Sequence, residues 1–156
     1  MFMSGYGVER IGETEEGLVA GVDFFATILE MMDFDLPGGY NNSYSLKEVL
    51  SDNNATTQWY NYSEQSEAAD FERAIRNEQF KLLIYTDSVG AVVSEEFYDL
   101  INDPFEVDEL IGMGLNMNQQ LNYDDLKTEA DSIYLSWSCR DPVSYTHLTL
   151  PTICSV

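Results

Sequence analysis

Apolar residues recur at helical spacing from Val22 onward. Val22, Phe25, Ala26, Leu29 and Met32 share one face, while Phe24, Ile28 and Met31 cover a second. A helix that is apolar on most sides belongs in an interior, so the spacing predicts a buried helix over Val22–Met32. Leu36-Pro37-Gly38-Gly39 ends it, because proline restricts the residue before it and paired glycines favour a turn. Upstream, the short apolar run Phe2–Ser4 suits a strand entering a turn at Gly5 and Gly7, with Glu9–Gly17 as a polar loop. Ser45–Leu50 fits one or two helical turns with Leu46, Val49 and Leu50 inward. The polar stretch Asp52–Ser66 is expected to be a surface loop.

Alternation of period two then takes over. Phe71–Arg76, Gln79–Tyr85, Ala91–Ser94 and Glu96–Leu100 are predicted strands, separated by turn candidates at Asn77-Glu78, Asp87-Ser88 and Ser94-Glu95. Short links between consecutive strands imply an antiparallel meander. Asn102-Asp103-Pro104 closes the last strand. Leu126, Ala130, Ile133 and Trp137 lay a single stripe along a C-terminal helix. The expected architecture is α+β: a small antiparallel sheet of about four strands packed with a buried helix and a C-terminal helix.

Composition narrows the function. Against 28 Asp and Glu stand 7 Lys and Arg, a formal net charge of −21. Such a surface repels phosphate backbones, which excludes nucleic-acid and anionic-membrane binding as expectations. An apolar share of 44% supports a core despite that charge. The two cysteines, Cys139 and Cys154, form neither a disulfide framework nor a zinc-ligand pattern. The lone histidine, His147, lies in Pro142–Val156, which contains no Asp, Glu, Lys or Arg. This abrupt change resembles translated adaptor sequence at the end of a metagenomic gene prediction. Residues 141–156 are therefore expected to be a non-native tail and 1–140 the domain proper, which would leave no authentic histidine.

Four landmarks in order resemble the C-terminal part of a sulfatase, in the alkaline-phosphatase-like superfamily. Val22-Asp23-Phe24-Phe25-Ala26-Thr27-Ile28-Leu29 is similar to the family's V-D-L-x-P-T-L-L helix, with Ala26 in place of its proline. Tyr44–Leu50 resembles G-x-S-L-x-P-L-L, and Arg73–Leu83 resembles the A-I-R-T-x-x-Y-K-L-I strand pair. Glu96–Glu106 is similar to E-L-Y-D-L-x-x-D-P-x-E, and Glu109-Leu110 stands where the family has N-L. The resemblance implies a sulfuric ester hydrolase in which a formylglycine, made from Cys or Ser in C/S-x-P-x-R, works beside a calcium ion. This sequence has no C/S-x-P-x-R: Cys139-Arg140-Asp141-Pro142 and Cys154-Ser155-Val156 both fail the spacing. The expected role is thus a fragment that braces the missing N-terminal catalytic domain and shapes substrate entry, without catalytic, cofactor or metal residues of its own. Family habit implies a periplasmic or secreted parent.

Residues that invite a chemical reading have structural readings beside them. Asp33-Phe34-Asp35 lacks the later ligands of a calcium loop and is read as a solvated helix end. Glu95-Glu96 and Asp124-Asp125 are adjacent, which does not place an acid and a base across one bond. Trp59 and Tyr60 are candidates for stacking at a substrate rim, and Arg73 and Arg76 for pairing with a sulfate, since guanidinium binds oxyanions bidentately. Asn41-Asn42-Ser43, Asn54-Ala55-Thr56 and Asn61-Tyr62-Ser63 fit the N-glycosylation pattern. Two readings compete with the sulfatase fragment: a phosphonate or phosphate ester hydrolase fragment of the same superfamily, and a free-standing acidic binding module.

Overall fold

A computed structural model describes residues 3–35, 43–67 and 70–136. Within them the order is helix α1 (Asp23–Met31), strands β1 (Asn61–Glu67), β2 (Asp70–Arg76), β3 (Phe80–Thr86) and β4 (Val92–Asp99), and helix α2 (Met117–Ser136). The strands form one antiparallel sheet in the order β1-β2-β3-β4, the meander expected from the short links. The α+β architecture stands.

Two assignments within it change. β1 lies in the stretch expected to be a loop. Its sequence, NYSEQSE, carries no apolar alternation because it is an edge strand held to β2 by backbone pairing, from Asn61 opposite Arg76 to Glu67 opposite Asp70. In turn, Ala91–Ser94 and Glu96–Leu100 are not two strands: Ser94 and Glu95 continue β4, paired with Tyr85 and Ile84. An acidic pair mimicked a turn because polar residues on a half-solvated strand look like loop sequence. Met3 and Ser4 lie in no strand; Phe2, Leu36-Pro37-Gly38-Gly39 and Trp137 lie outside the described residues.

One face of the sheet and the inner stripe of α2 make the core. Ile75, Phe80, Leu82, Ile84 and Phe97 meet Leu126, Ala130 and Ile133, the stripe the sequence spacing picks out. Phe80 and Phe97 stack with centroids 5.1 Å apart, and Tyr123 closes edge-on over Phe97. The turns are fixed by side chains. Asn77 Oδ1 accepts from the Gln79 and Phe80 amides at 2.9 and 2.7 Å, and its Nδ2 donates to Asn122 of α2. Between β3 and β4, Asp87 Oδ1 accepts from Val89 and Ala91, and Gly90 takes the positive φ of 84° that the turn needs.

The first helix departs from expectation. Asp23, Ala26 and Thr27 are buried, yet Val22, Ile28 and Met32 are each more than half exposed, and Phe24, Phe25 and Met31 lie at the surface. No α1 side chain belongs to the core between sheet and α2. The helix is instead tied down by polar bonds. Fully buried Asp23 accepts from the Ala20 amide at 2.7 Å, the Tyr44 amide at 2.9 Å and Gln58 Nε2 at 2.8 Å. Thr27 Oγ1 donates to the Asp23 carbonyl and accepts from the Leu46 amide, while Ser43 Oγ donates to the Val22 carbonyl and accepts from the Ala26 amide. The buried carboxylate is thus satisfied by three N–H donors, and the bonds dock the turns over 45–50 against α1 with Leu46 and Val49 inward.

Candidate functional site

The segment leading into β1 and the end of β2 border an open cleft of about 580 Å³, within the range typical of small-ligand sites. Its lining includes Glu15, Glu16, Gln58, Trp59, Arg76 and Glu78. The isolated bridge between Leu18 and Gln58 joins its two walls, and Gln58 is the residue that bonds Asp23. The cleft wall is therefore anchored to α1 through one side chain.

Strand parity divides the two arginines. Arg73 and Arg76 are three residues apart on β2, so their side chains leave opposite faces of the sheet. Arg73 faces α2, is only 3% exposed, pairs with Asp131 at 3.1 Å and lies 4.4 Å from the centre of the Tyr134 ring. Arg76 lines the cleft, half-buried. Its Nε donates to the neighbouring Asn77 carbonyl at 3.2 Å. Every other basic side chain among the described residues has a carboxylate partner: Arg10 has Glu13 and Glu15, Lys47 has Glu30, Lys81 has Glu106 and Lys127 has Glu95. Arg76 has no carboxylate within ion-pair distance among the described residues, in a chain with fourfold more acids than bases.

The two aromatic candidates also separate. Trp59 lines the cleft and is half exposed, with Tyr60 edge-on at 4.9 Å. Tyr60 packs against the sheet–α2 core instead, and burial, reinforced by Glu129, pushes its hydroxyl up to about 12. Of the four rim candidates, the structure brings Trp59 and Arg76 to one cleft and places Tyr60 and Arg73 against α2 and the core.

Among the carboxylates of the cleft, Glu15 is committed. Its bond from Arg10, and then that from the Gly17 amide, hold its carboxyl below the ordinary range. Glu16 and Glu78 are exposed and make no side-chain hydrogen bond or ion pair among the described residues. Sequence reasoning missed both, because an isolated Glu in an acidic chain carries no signal until the fold sets it beside an unpaired cation.

The remaining acidic pairs have structural work. Glu95 points to the α2 face, bonding Tyr123 and Lys127, whereas Glu96 on the opposite face accepts from Tyr85 and Tyr98. Asp33, with φ 58°, follows the end of α1. No three His, Cys, Asp or Glu side chains converge as a metal site among the described residues. Of the glycosylation triplets, Asn61 sits in β1 with its amide donating to the Val19 carbonyl at 3.2 Å, Asn54 is exposed, and Asn41 lies outside the described residues.

The motif Glu96–Glu106 also explains itself. Asp99 accepts from the Ile101 and Asn102 amides and the Asn102 and Gln79 side chains. Asp103 accepts from the amides of Val107 and Asp108 at 2.6 and 2.8 Å. Glu106, at φ 56°, reaches back to Lys81 at 2.7 Å. Glu109 accepts from the amides of Phe97, Ile111 and Gly112, and Leu110 packs on the core. These residues hold the exit from β4 in place, and none of them is in the lining of the cleft beside Trp59 and Arg76.

A family whose description is N-sulphoglucosamine sulphohydrolase, C-terminal, matches residues 3–131. Among solved structures, the chain is similar to a protein in complex with its substrate D-glucosamine-2-N,6-O-disulfate, with 22% identity, TM-score 0.58, and coverage of 77% of this chain and 24% of that one. It is also similar to a Bacteroides thetaiotaomicron protein described under the metabolism of multiple glycosaminoglycans, with 14% identity, TM-score 0.52, and coverage of 74% and 26%. A protein of Bacteroides thetaiotaomicron VPI-5482 assigned as a sulfatase gives 20% identity, TM-score 0.51, and coverage of 83% and 26%. The chain spans about a quarter of the length of these structures. Among curated proteins no match is found.

Proposed function

The chain belongs to the family of N-sulphoglucosamine sulphohydrolase C-terminal domains, and from that premise we propose that it serves as the C-terminal part of a sulfuric ester hydrolase acting on sulfated amino sugars. The family match across residues 3–131 carries this reading. It favours the sulfatase over the acidic binding module and over the phosphonate or phosphate ester hydrolase of the same superfamily.

In this role the domain braces a larger catalytic domain and contributes one wall to the substrate entrance. Trp59 offers an aromatic face to a sugar ring, and Arg76 an uncompensated guanidinium to a sulfate. Tyr60 and Arg73 support that wall from the core side. The described residues do not fit the family's calcium ion or formylglycine: they offer no converging metal ligands, and the sequence has no C/S-x-P-x-R. Both groups are assigned to the catalytic domain, and no step is derived through them. The family reading also makes the parent an exported protein. Among the described residues no helix is long and apolar enough to cross a membrane. Residues 1–140 form the domain and 141–156 a foreign tail, so deleting the tail leaves the thermal melt unchanged.

A chimera tests the activity. The Bacteroides thetaiotaomicron VPI-5482 relative is truncated of its matching C-terminal quarter, and residues 3–136 of this chain are fused in its place. Sulfate release absent from the truncated relative and restored in the chimera is the expected result. A folded but inert chimera, or hydrolysis of a sulfated glucosamine by the present chain alone with calcium, overturns the proposal.

A further inference from the structure

The first helix is polar on its inner side and apolar on its outer one. Asp23, Ala26 and Thr27 are buried, while Val22, Phe25, Ile28 and Met32 face outward. Such an inversion suits a helix whose outer face is interior in a larger protein. The sulfatase reading supplies the occupant, the catalytic part of the parent, because the chain matches a family described as C-terminal and spans about a quarter of the structures it resembles. The chain's N-terminal segment also passes this helix, where a Cβ added at Gly7 would stand 3.0 Å from Met31 Cε.

Hydrogen bonds that join α1 and the residues leading into it to the sheet side of the molecule come from residues 58–61. Gln58 pairs with Leu18 as an isolated bridge, and its Nε2 donates to Asp23 Oδ1 at 2.8 Å. Asn61 Nδ2 donates to the Val19 carbonyl at 3.2 Å. Trp59, half exposed in the cleft lining, lies between these anchors. Asp23 does not need Gln58 to be satisfied. The Ala20 amide donates to its Oδ2 at 2.7 Å and the Tyr44 amide to its Oδ1 at 2.9 Å, so each oxygen keeps a backbone donor when the glutamine is removed. The third bond is therefore a tie between segments 35 residues apart rather than a rescue of a buried charge.

We propose that Gln58 is a positioning residue: it couples the seating of α1 to the Trp59 wall of the cleft, so that the catalytic domain, packed on the apolar face of α1, sets where that wall stands at the substrate entrance. A wall fixed to β1 alone moves with the sheet and α2. Through Gln58 it moves with the helix that the other domain holds. Small displacements of groups that position a substrate are costly even when they lie away from the chemistry. The inference rests on the sulfatase reading for the occupant of the α1 face, whereas the tie between α1 and Trp59 belongs to this chain's own bonds.

Acrylamide quenching tests the tie in the full chain carrying Trp137→Phe, which leaves Trp59 as its sole tryptophan. Gln58→Met keeps the length of the side chain, removes its N–H donor and raises the quenching constant about twofold. Gln58→Lys, which restores an N–H donor, returns the constant toward its unaltered value. Thr27→Val releases α1 from the Leu46 amide without removing any bond of Gln58. It raises the constant when Gln58 is present and adds nothing to Gln58→Met, with circular dichroism melts verifying a folded chain throughout. An unchanged constant in Gln58→Met or in Thr27→Val alone overturns the inference, and so do equal increments from Thr27→Val with and without Gln58. In the chimera, Gln58→Met raises KM for a sulfated glucosamine about fivefold with kcat within about twofold, and Gln58→Lys rescues it. An active chimera whose KM is indifferent to Gln58→Met, or one that loses kcat instead, sinks the role of Gln58 alone. An inert chimera with the quenching pattern intact sinks the sulfatase reading alone.

Discussion

At the scale of single residues, the chain's few buried polar groups do most of the positioning. Asp99 is the clearest case. Its burial favours the neutral acid, but the bonds from Asn102, Gln79 and Ile101 outweigh this and hold its carboxyl below the ordinary range. A carboxyl whose folded pKa lies below its unfolded one stabilises the fold above the unfolded value, about 3.9, and loses that contribution as pH falls through the folded value. Asp99→Ala is therefore expected to cost about 1–3 kcal/mol at neutral pH. The deficit relative to the unaltered chain should shrink below about pH 4 in urea melts followed by circular dichroism. Asp23 shows the same economy without any cation: three N–H donors satisfy it, and one comes from Gln58 at the cleft wall. Sequence reading recognised Asp23 and Asp99 as parts of motifs but had no means of telling that both are fasteners. What a carboxylate does depends on the amides that surround it, and those come from segments as far apart as Ala20, Tyr44 and Gln58.

At the scale of elements, α1 is the part of the fold that sequence periodicity reads correctly as a helix and incorrectly as interior. Its apolar positions are real, but this chain contains nothing that covers Val22, Ile28 or Met32 among the described residues. An exposed apolar helix face of this kind marks an interaction surface. The catalytic domain is the partner that the sulfatase reading supplies. Val22→Ser with Ile28→Ser is expected to reduce binding of a hydrophobic dye and self-association in light scattering. The cooperative melt should survive, because neither residue enters the core between sheet and α2. The same double substitution placed in the chimera should abolish its assembly. β1 makes the complementary point. Its polar sequence hides an edge strand because backbone pairing to β2 needs no apolar side chain, whereas Phe80–Thr86, alternating between core and half-buried positions, is plain from period two alone.

At the scale of the whole molecule, charge is the governing quantity. Six basic residues among the described ones are set against a formal net charge of −21, and their ion pairs are mostly at the surface, where each contributes little. Self-repulsion therefore opposes the compact state. Raising salt from about 0.01 to about 0.15 M shortens the screening length from about 30 to about 8 Å, and the melting temperature of the chain is expected to rise across that range. A melting temperature that falls instead would show that the surface ion pairs outweigh the net charge.

The sequence by itself determined the helical and period-two segments of the core, the turn residues Asn77 and Asp87, the meander, and the family resemblance, because each depends on neighbours a few positions apart. The tertiary structure alone decided what stands opposite each face. Two arginines three apart on one strand take opposite faces by parity, but sequence does not say what each face meets. Strand parity buries Arg73 against Asp131 and Tyr134 and leaves Arg76 beside Trp59, Glu16 and Glu78. An ion pair is a relation across space, so an unpaired cation in an acidic chain becomes visible only when the chain has folded.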